Sequence, residues 1–220
     1  MLGKFDLIIF DMAGTTVADH GEVPKAFMEA LAEYDVSITP EELGKVRGAS
    51  KREALAILLG PSRAHLLDAI YARFVETLSA TYRSGAEEIP GAMNAFKFFN
   101  GAGLKLALNT GFERSLVDLL IEALSWPPSM FDAIVCGNEV AHGRPAPDLI
   151  FQAMQLASVA RPERVINVGD TTSDMEAGAS AGVGANIAVL SGAHKRDQLA
   201  AAPHTHMLSS VRELPGLFVN

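Results

Sequence analysis

The sequence predicts an α/β protein: a doubly wound, Rossmann-like parallel sheet with an inserted α-helical cap. Three observations predict this class. Five short apolar runs recur along the chain, at 5–11, 104–110, 131–137, 164–170 and 184–190. Each run is continuous instead of alternating, which is typical of parallel strands buried on both faces. Helical patterns separate the later runs, and a long segment without a strand-like run follows the first one.

The first apolar run, FDLIIFD, is predicted to be a strand, and the segment after it is predicted to be the cap. Helical patterns occupy this segment, at 24–34, 40–46, 51–59 and 63–82. The loops VADHGEV and RSGAEEIP flank it and are suited to act as hinges. We therefore expect a helical cap domain at 18–88, and a core domain formed by 1–17 together with 89–220.

The rest of the chain alternates strands with helices. Helical patterns lie at 91–102, 113–124, 147–157 and 173–182. Pro90 and Gly103 bracket the first of these, as helix start and stop signals do. In open parallel sheets, ligands bind beyond the carboxyl ends of the strands. The residues that follow the strands are therefore the candidates for function.

Composition narrows the class of partner. The 220 residues carry a net charge of −8, so no basic stripe is present to neutralise nucleic-acid phosphates or an anionic membrane surface. The single cysteine, Cys136, suits a reducing compartment, and no apolar stretch approaches membrane-spanning length. We expect a cytoplasmic monomer or homodimer that binds a small molecule, with no nucleic-acid and no membrane partner.

Polar residues follow four of the predicted strands. They are Asp11 after the first, Thr110-Gly111 after the second, Arg144 after the third, and Asp170 with Asp174 after the fourth. Asp11 can attack phosphorus or ligate a metal, and Asp170 can complete the oxygen-rich site that Mg²⁺ prefers. Arg144 and Thr110 can hold phosphoryl oxygens by hydrogen bonds. The pattern indicates a site for transfer of an oxyanion.

In this order, the set resembles the four motifs of the haloacid dehalogenase (HAD) superfamily, over nearly the whole chain including the position of the cap. The resemblance implies that Asp11 is a nucleophile that forms an aspartyl-phosphate beside Mg²⁺. It implies that Asp11, the backbone carbonyl of Ala13 and Asp170 hold this metal. Asp174 would support the water shell of the metal.

The same resemblance implies a phosphate site. Thr110 and Arg144 would bind the phosphoryl oxygens, with Met12, Ala13 and Gly111 beside them. Most members of the superfamily carry lysine at the position of Arg144. Both side chains are cationic, but arginine can bind an oxyanion through two nitrogens.

Ala13 separates this chain from the usual phosphatases of the superfamily, which carry a second Asp at its position. That Asp protonates the departing alkoxide, a contribution of about 10²–10⁴-fold. The motif DMAGTT is similar to that of the phosphonoacetaldehyde hydrolase (phosphonatase) branch, which also has Ala there. In that branch a cap lysine forms an imine with the substrate aldehyde, so carbon leaves as an enamine and no alkoxide needs a proton.

Lys51 is the candidate for this lysine. Ser50 and Glu53 form an S-x-x-E pattern that predicts a helix beginning at Lys51. Spacing places Lys51 on the apolar face of that helix with Ala54 and its neighbours. The positive helix N-terminus and the adjacent Arg52 are both expected to favour the neutral amine that an imine needs.

Three positions depart from the phosphonatase pattern. The histidine three residues after the lysine is Ala54 here, a methionine before the lysine is Arg47, and a tyrosine after the second strand is Phe112. An alternative is therefore that Arg47, Lys51 and Arg52 anchor the substrate by charge. A solvated surface lysine is the third possibility for Lys51.

The favoured function is hydrolysis of a small organophosphorus compound, with a C–P bond of the phosphonoacetaldehyde type as first choice. Phosphomonoester hydrolysis, as in phosphoglycolate phosphatases, is the alternative reaction. A non-catalytic metabolite sensor is a third hypothesis, disfavoured because Asp11, Arg144 and Asp170 are all present. Dehalogenation is disfavoured for the same reason.

Overall fold

The computed structural model describes residues 2–219, and a six-stranded sheet runs through its centre. All neighbouring strands are parallel, in the order β3-β2-β1-β4-β5-β6. The strands are β1 Leu7–Phe10, β2 Lys105–Asn109, β3 Ala133–Val135, β4 Val165–Gly169, β5 Ala185–Val189 and β6 His206–Leu208. This confirms the α/β, doubly wound class and the five predicted strand positions.

The helices also follow the predicted pattern. Within the described residues they are α1 Glu22–Ala32, α2 Pro40–Lys45, α3 Lys51–Leu59, α4 Leu67–Ser84, α5 Ala92–Gly101, α6 Arg114–Ala123, α7 Asp148–Leu156, α8 Thr172–Ala181 and α9 Arg196–Ala201. The pattern at 63–82 differs at its start, where a 3-10 turn at Pro61–Leu66 precedes α4. Pro61 lacks the N–H that a continuing helix would use, so a tighter turn forms first.

Strand β1 forms the middle of the core because both of its faces are covered. Ile8 and Phe10 point into the large apolar cluster with α5, where Phe96 lies edge-on to Phe10 at 5.1 Å between ring centroids. Leu7 and Ile9 point to the other face, towards α7. Burial on both faces explains why the run is continuously apolar.

The chain leaves and re-enters the core at one place. Val17 and Glu88 form an antiparallel bridge, and the Ala18 N–H donates to the Glu87 carbonyl at 2.8 Å. Helices α1 to α4 lie between these two segments, and α1 packs along α4 with Phe27 against Phe74. The adjacent linkers position the helical segment above the carboxyl ends of the strands.

Two short elements near the end of the chain, α9 and β6, were not predicted. Within residues 2–219, strand β6 pairs with β5 alone and leaves His206 exposed, so no apolar run marks it. No helix among residues 2–219 is both long and apolar enough to cross a bilayer.

Candidate active site

The sheet register places the candidate residues side by side. Phe10 pairs with Leu108 of β2 on one side and with Val168 of β4 on the other. Asp11, Thr110 and Asp170 follow these strands at the same edge of the sheet. All three are buried, at 5%, 2% and 1% exposure. Their proximity is thus a consequence of strand order, as the sequence predicted.

The loop after β1 is a tight turn built on Met12. Its carbonyl accepts hydrogen bonds from the N–H groups of Thr16 and Val17, both at 2.8 Å. The Met12 side chain lies in the apolar core, so any contact of this residue with phosphate would use its backbone. Gly14 has φ +87°, and a Cβ there would lie 2.5 Å from Asp170 Oδ2. Only glycine allows the loop to approach Asp170 this closely.

Arg144 links two carboxylates across the site. Its Nη2 donates to Asp11 Oδ1 at 2.8 Å, and its Nη1 donates to Asp174 Oδ1. Arg144 is 4% exposed, and its Nε is buried without a hydrogen-bond partner among the described residues. Burial opposes the charge, but Asp11 and Asp174 raise the pKa of Arg144 above its ordinary value. Arg144 is therefore a fixed cation at the floor of the site.

Both carboxylate oxygens of Asp174 accept hydrogen bonds from neighbouring residues. Its Oδ1 accepts from Arg144, and its Oδ2 accepts from the N–H and the hydroxyl of Thr171 at 3.0 and 2.6 Å. Thr171 caps α8, and the two side chains form a reciprocal capping box. This network fixes Asp174 as the partner that orients Arg144.

Asp170 is held by the loops on both sides of it. Its Oδ1 accepts from the Thr15 hydroxyl at 3.1 Å, and its Oδ2 accepts from the Ala193 N–H at 2.6 Å. Burial, together with the charges of Asp11 and Asp174, raises the pKa of Asp170 well above the usual range. Burial also raises the pKa of Asp11, although Arg144 opposes that change.

A divalent metal fits this arrangement. Asp11, Asp170 and Asp174 each offer a carboxylate oxygen, and the three atoms lie within 4.8 Å of one another. All three side chains are buried, and Arg144 alone does not neutralise them. Three crowded carboxylates form the hard-oxygen ligand set that Mg²⁺ prefers.

A cavity of about 60 Å³ lies over these carboxylates. Its walls come from both the strand ends and the helical segment: Asp11, Ala13, Asp19, Val23, Pro24, Phe27, Leu43, Val46, Arg47, Gly48, Lys51, Ala54, Thr110, Gly111, Arg144, Asp170, Thr171 and Ala193. The structure therefore brings Lys51 and Arg47 to the same cavity as Asp11. Arg52 lies outside it.

Lys51 faces this cavity from the first turn of α3. Its backbone N–H donates to the Gly111 carbonyl at 3.1 Å, and its ammonium lies 5.2 Å from the centre of the Phe112 ring. Burial and the charge of Arg144 lower the pKa of Lys51, while Asp11, Asp19 and Asp170 partly oppose this. The structure thus favours the neutral amine, as expected from the sequence.

The cause of that shift differs from the one expected. Arg52 was expected to act on Lys51, but its guanidinium pairs with Asp68 and lies over the Tyr71 ring at 5.5 Å. The Arg52 side chain therefore lies along the outside of the helical segment, in contact with these two side chains. The repelling cation is Arg144, which only the folded chain brings near Lys51.

The S-x-x-E pattern before α3 forms in part. The Ser50 hydroxyl accepts from the Glu53 N–H at 3.3 Å, but the Glu53 carboxylate contacts the Ser50 hydroxyl instead of its backbone N–H. The helix begins at Lys51, as predicted. Ala54 is buried and lines the cavity, so the wall next to Lys51 is apolar there.

Close backbone contacts join the two halves of the cavity. A Cβ on Gly111 would lie 2.6 Å from the Ala49 carbonyl oxygen, and one on Gly48 would lie 2.6 Å from Thr171 Oγ1. Arg47 Nη1 donates to the Ala193 carbonyl at 3.4 Å, and its own carbonyl accepts from the Ser173 hydroxyl at 3.3 Å. The segment before α3 therefore rests directly on the strand-end loops.

Comparison with known proteins agrees with this geometry. A family profile described as haloacid dehalogenase-like hydrolase matches residues 8–188. The chain belongs to this family. It is a hydrolase of the HAD superfamily, and the predicted superfamily is confirmed.

The curated relatives of this HAD hydrolase include phosphonoacetaldehyde hydrolases. The phosphonoacetaldehyde hydrolase of Paraburkholderia xenovorans (strain LB400) is 29% identical over 191 residues, which are 80% of this chain and 71% of the relative. The phosphonoacetaldehyde hydrolase of Bacteroides fragilis is 27% identical, over 97% of this chain and 95% of the relative. Both relatives carry the name of the branch that the motif DMAGTT resembles.

Solved structures of HAD proteins show the same fold. A phosphonoacetaldehyde hydrolase-like protein from Oleispira antarctica aligns with TM-score 0.83 at 22% identity, over 98% of this chain and 92% of its own. CbbY from Rhodobacter sphaeroides, in complex with phosphate, aligns with TM-score 0.79 at 25% identity, over 96% of both chains.

Several cavity residues of this HAD hydrolase were not predicted. Asp19, Thr171 and Ala193 line the cavity. Asp19 belongs to the loop that the sequence identifies as a hinge, and Thr171 directly follows Asp170 after the fourth predicted strand. Both residues could therefore have been named as candidates from the sequence. Ala193 acts through its backbone N–H, for which a side-chain pattern gives no signal.

Proposed function

We propose that this hydrolase cleaves the C–P bond of a small phosphonate that carries an aldehyde, of the phosphonoacetaldehyde type, with Mg²⁺. One observation carries the proposal: a lysine with a lowered pKa, Lys51, lines the same small cavity as Asp11. Ala13 supports it, because the position that carries the alkoxide-protonating aspartate in the usual phosphatases has no acid here. The names of the curated relatives agree with this substrate class.

Each residue at the strand ends has its own role in phosphoryl transfer. Asp11 is the nucleophile, Arg144 and Thr110 hold phosphoryl oxygens, and the backbone of Met12, Ala13 and Gly111 completes the phosphate cradle. The Thr110 Oγ1 accepts the Phe112 N–H at 3.2 Å, so the hydroxyl hydrogen is not used in that bond and can be donated to a phosphoryl oxygen.

Metal binding would use the buried carboxylates. We propose that Asp11, the carbonyl of Ala13 and Asp170 hold Mg²⁺, while Asp174 orients Arg144 and contributes to the outer shell of the site. A bound ion would supply positive charge that stabilises negative charge on the phosphoryl group. The crowding of the carboxylates within 4.8 Å supports this assignment.

Lys51 acts on the carbon side of the bond that breaks. Its neutral amine adds to the aldehyde carbon, and the carbonyl oxygen leaves as water, which gives an iminium. Asp11 then attacks phosphorus as the C–P bond breaks, and the bonding pair moves through carbon to the iminium nitrogen. The enamine takes a proton on carbon and is hydrolysed to aldehyde and free Lys51, and water releases phosphate from Asp11.

The helical segment 18–88 would serve as the cap that delivers Lys51. Gly48 and Gly111 allow the segment before α3 to sit against the strand ends without a Cβ between them. In this arrangement the amine is near the nucleophile only when the cap rests on the core. The two halves together line a cavity of about 60 Å³ above the strand ends.

Release of phosphate and aldehyde from phosphonoacetaldehyde by Lys51 variants tests the proposal. Lys51→Arg keeps a long basic side chain but forms no imine, so C–P cleavage should fall to background, as in Lys51→Ala. Cleavage of p-nitrophenyl phosphate provides the control for an intact phosphoryl site, and Lys45→Arg provides the control for a surface change. Substantial phosphonate cleavage by Lys51→Arg would reject the imine.

Phosphomonoester hydrolysis is the second candidate, and Arg47 favours it. This arginine lines the cavity beside Lys51, so the two cations can anchor a second anionic group of the substrate. Under this alternative, Lys51→Arg retains most activity and a phosphate monoester is turned over faster than phosphonoacetaldehyde. The same variant series thus separates the two reactions.

A further inference from the structure

The cavity contains a carboxyl group with no assigned task. Among the described residues that line it, three carry carboxylates: Asp11, Asp19 and Asp170. Asp11 is the nucleophile and Asp170 belongs to the metal site. Asp19 belongs to neither group, and it lies on the helical side of the cavity with Lys51.

The position of Asp19 is fixed by the start of α1. Its Oδ1 accepts the Gly21 N–H at 3.1 Å and the Val23 N–H at 3.2 Å. Both bonds run to the same oxygen. The turn therefore holds the carboxyl group in place.

The surroundings of Asp19 favour the protonated form. Burial raises its pKa, the two backbone N–H groups oppose this, and the neighbouring Glu22 carboxylate adds to the increase. The charge of Asp19 raises the pKa of Lys51 and so partly opposes the effect of burial on that amine. Burial raises the pKa of the Tyr82 phenol, and the charges of Asp19 and Glu22 add to this increase. Asp19 thus keeps its proton to a higher pH than an exposed aspartate does, and a carboxyl group can donate that proton and take it back.

The chemistry at Lys51 requires such a group. When the amine has added to an aldehyde, the carbinolamine oxygen must receive a proton before it leaves as water. Ala54 on the adjacent wall and Phe112 beside the ammonium carry no exchangeable side-chain hydrogen. The guanidinium of Arg47 is too weak an acid to supply a proton. Thr110 is a weak acid that is already placed at the phosphate.

We infer that Asp19 is a catalytic residue, the general acid and base for imine formation and hydrolysis at Lys51. This inference rests on the proposed function. The Asp19 carboxyl donates its proton to the carbinolamine hydroxyl, which leaves as water as the C=N bond forms, and Asp19 becomes a carboxylate. In the last step that carboxylate takes a proton from the water that attacks the product iminium.

Asp19→Asn separates this role from a structural one. The amide oxygen of asparagine can accept the Gly21 and Val23 N–H groups, so the turn is kept, but the amide does not act as an acid. Glu41→Gln is the matched control, because Glu41 is an exposed acid of α2 that lies outside the cavity.

The experiment measures how fast borohydride traps an adduct of phosphonoacetaldehyde on Lys51, at saturating reductant. We expect trapping in Asp19→Asn to be slower by about 10²–10⁴-fold, the usual contribution of a general acid, and unchanged in Glu41→Gln. Trapping at the wild-type rate in Asp19→Asn would overturn the role of Asp19 and leave the imine intact. No adduct in the wild-type protein would overturn both the imine and this inference.

A second variant keeps the test possible if Asp19→Asn does not fold stably. If Asp19→Asn melts early, Asp19→Ser is used, since a serine hydroxyl also caps backbone N–H groups and is not an acid at neutral pH. A folded Asp19→Ser that traps the adduct at the wild-type rate overturns the inference, and one that is slowed as strongly as stated above supports it.

Discussion

The guanidinium of Arg144 donates a hydrogen bond to the Asp11 carboxylate across 2.8 Å, although 133 positions separate the two residues in the sequence. Asp174 receives the other terminal nitrogen of the same guanidinium. Asp11, the proposed nucleophile, is therefore oriented by a cation that is itself held by Asp174 of the α8 capping box. Lysine has one nitrogen, so it cannot bridge these two carboxylates in the same plane.

Arg144→Lys should reduce turnover by about 10²–10³-fold, the usual effect of removing a positioned donor from an oxyanion site. Arg144→Met should also lower the free energy of unfolding by about 3–5 kcal/mol, because buried carboxylates lose their partner. Steady-state kinetics and denaturant titration measure the two effects. Arg114→Met is the control, since Arg114 makes a comparable pair with Glu139 at a more exposed place. Equal stability losses in Arg144→Met and Arg114→Met would contradict this account.

Gly111→Ala should prevent the segment before α3 from seating on the core. The new Cβ would lie 2.6 Å from the Ala49 carbonyl oxygen, a contact that real structures do not tolerate. We expect a large loss of phosphonate cleavage, with a smaller loss of stability. Gly101→Ala is the matched control, because nothing lies within 4 Å of a Cβ there. A Gly111→Ala enzyme with wild-type activity would show that the close contact is not needed.

Mg²⁺ should stabilise the folded protein in the absence of substrate. At a Mg²⁺ concentration about 100 times its Kd, linkage gives about 2.7 kcal/mol. Asp170→Asn should abolish this gain, and EDTA should remove both the gain and the activity. Because the pKa values of Asp11 and Asp170 are raised, the effect should grow as pH rises and these groups ionise. Thermal melts with and without Mg²⁺ at two pH values provide the measurement, and an equal gain in Asp170→Asn would refute the assignment.

His194 should make stability depend on pH. Its Nδ1 accepts the Thr172 N–H at 3.0 Å, and burial, together with Arg47, lowers its pKa below 6.5, although Asp174 opposes this. As pH falls, the unfolded chain binds a proton on His194 before the folded chain does. The contribution of His194 to the free energy of unfolding is therefore fully present above the pKa of the unfolded state and is lost as pH drops below it.

The comparison of His194→Gln with the wild-type protein isolates this effect. Unfolding free energies measured between pH 5 and 8 should converge as pH falls, because only the wild-type protein loses the His194 contribution. A constant difference across the range would show that His194 does not titrate differently in the two states.

Local patterns were enough to predict the sheet and the residues at its edge. Asp11, Thr110 and Asp170 each end a continuous apolar run, and parallel strand order brings such ends together. Lys51 was predicted at the start of its helix, because Ser50 marks that start. These features depend on periodicity and capping within a few residues.

Features that depend on the folded chain were not predicted. The repulsion that acts on Lys51 comes from Arg144, which lies 93 positions away, and not from its neighbour Arg52. Asp19 was assigned only to a hinge loop, since its place on the cavity wall depends on how α1 packs against α4. Side-chain direction at long range has no signal in a local pattern.

The most direct test of the account is the mass of the Lys51 peptide after the wild-type enzyme is treated with phosphonoacetaldehyde and borohydride. A proteolytic digest should contain this peptide with the mass of a reduced aldehyde adduct, and the adduct should be absent from Lys51→Arg. An unmodified Lys51 peptide, recovered while the enzyme releases phosphate from the same substrate, would contradict the account.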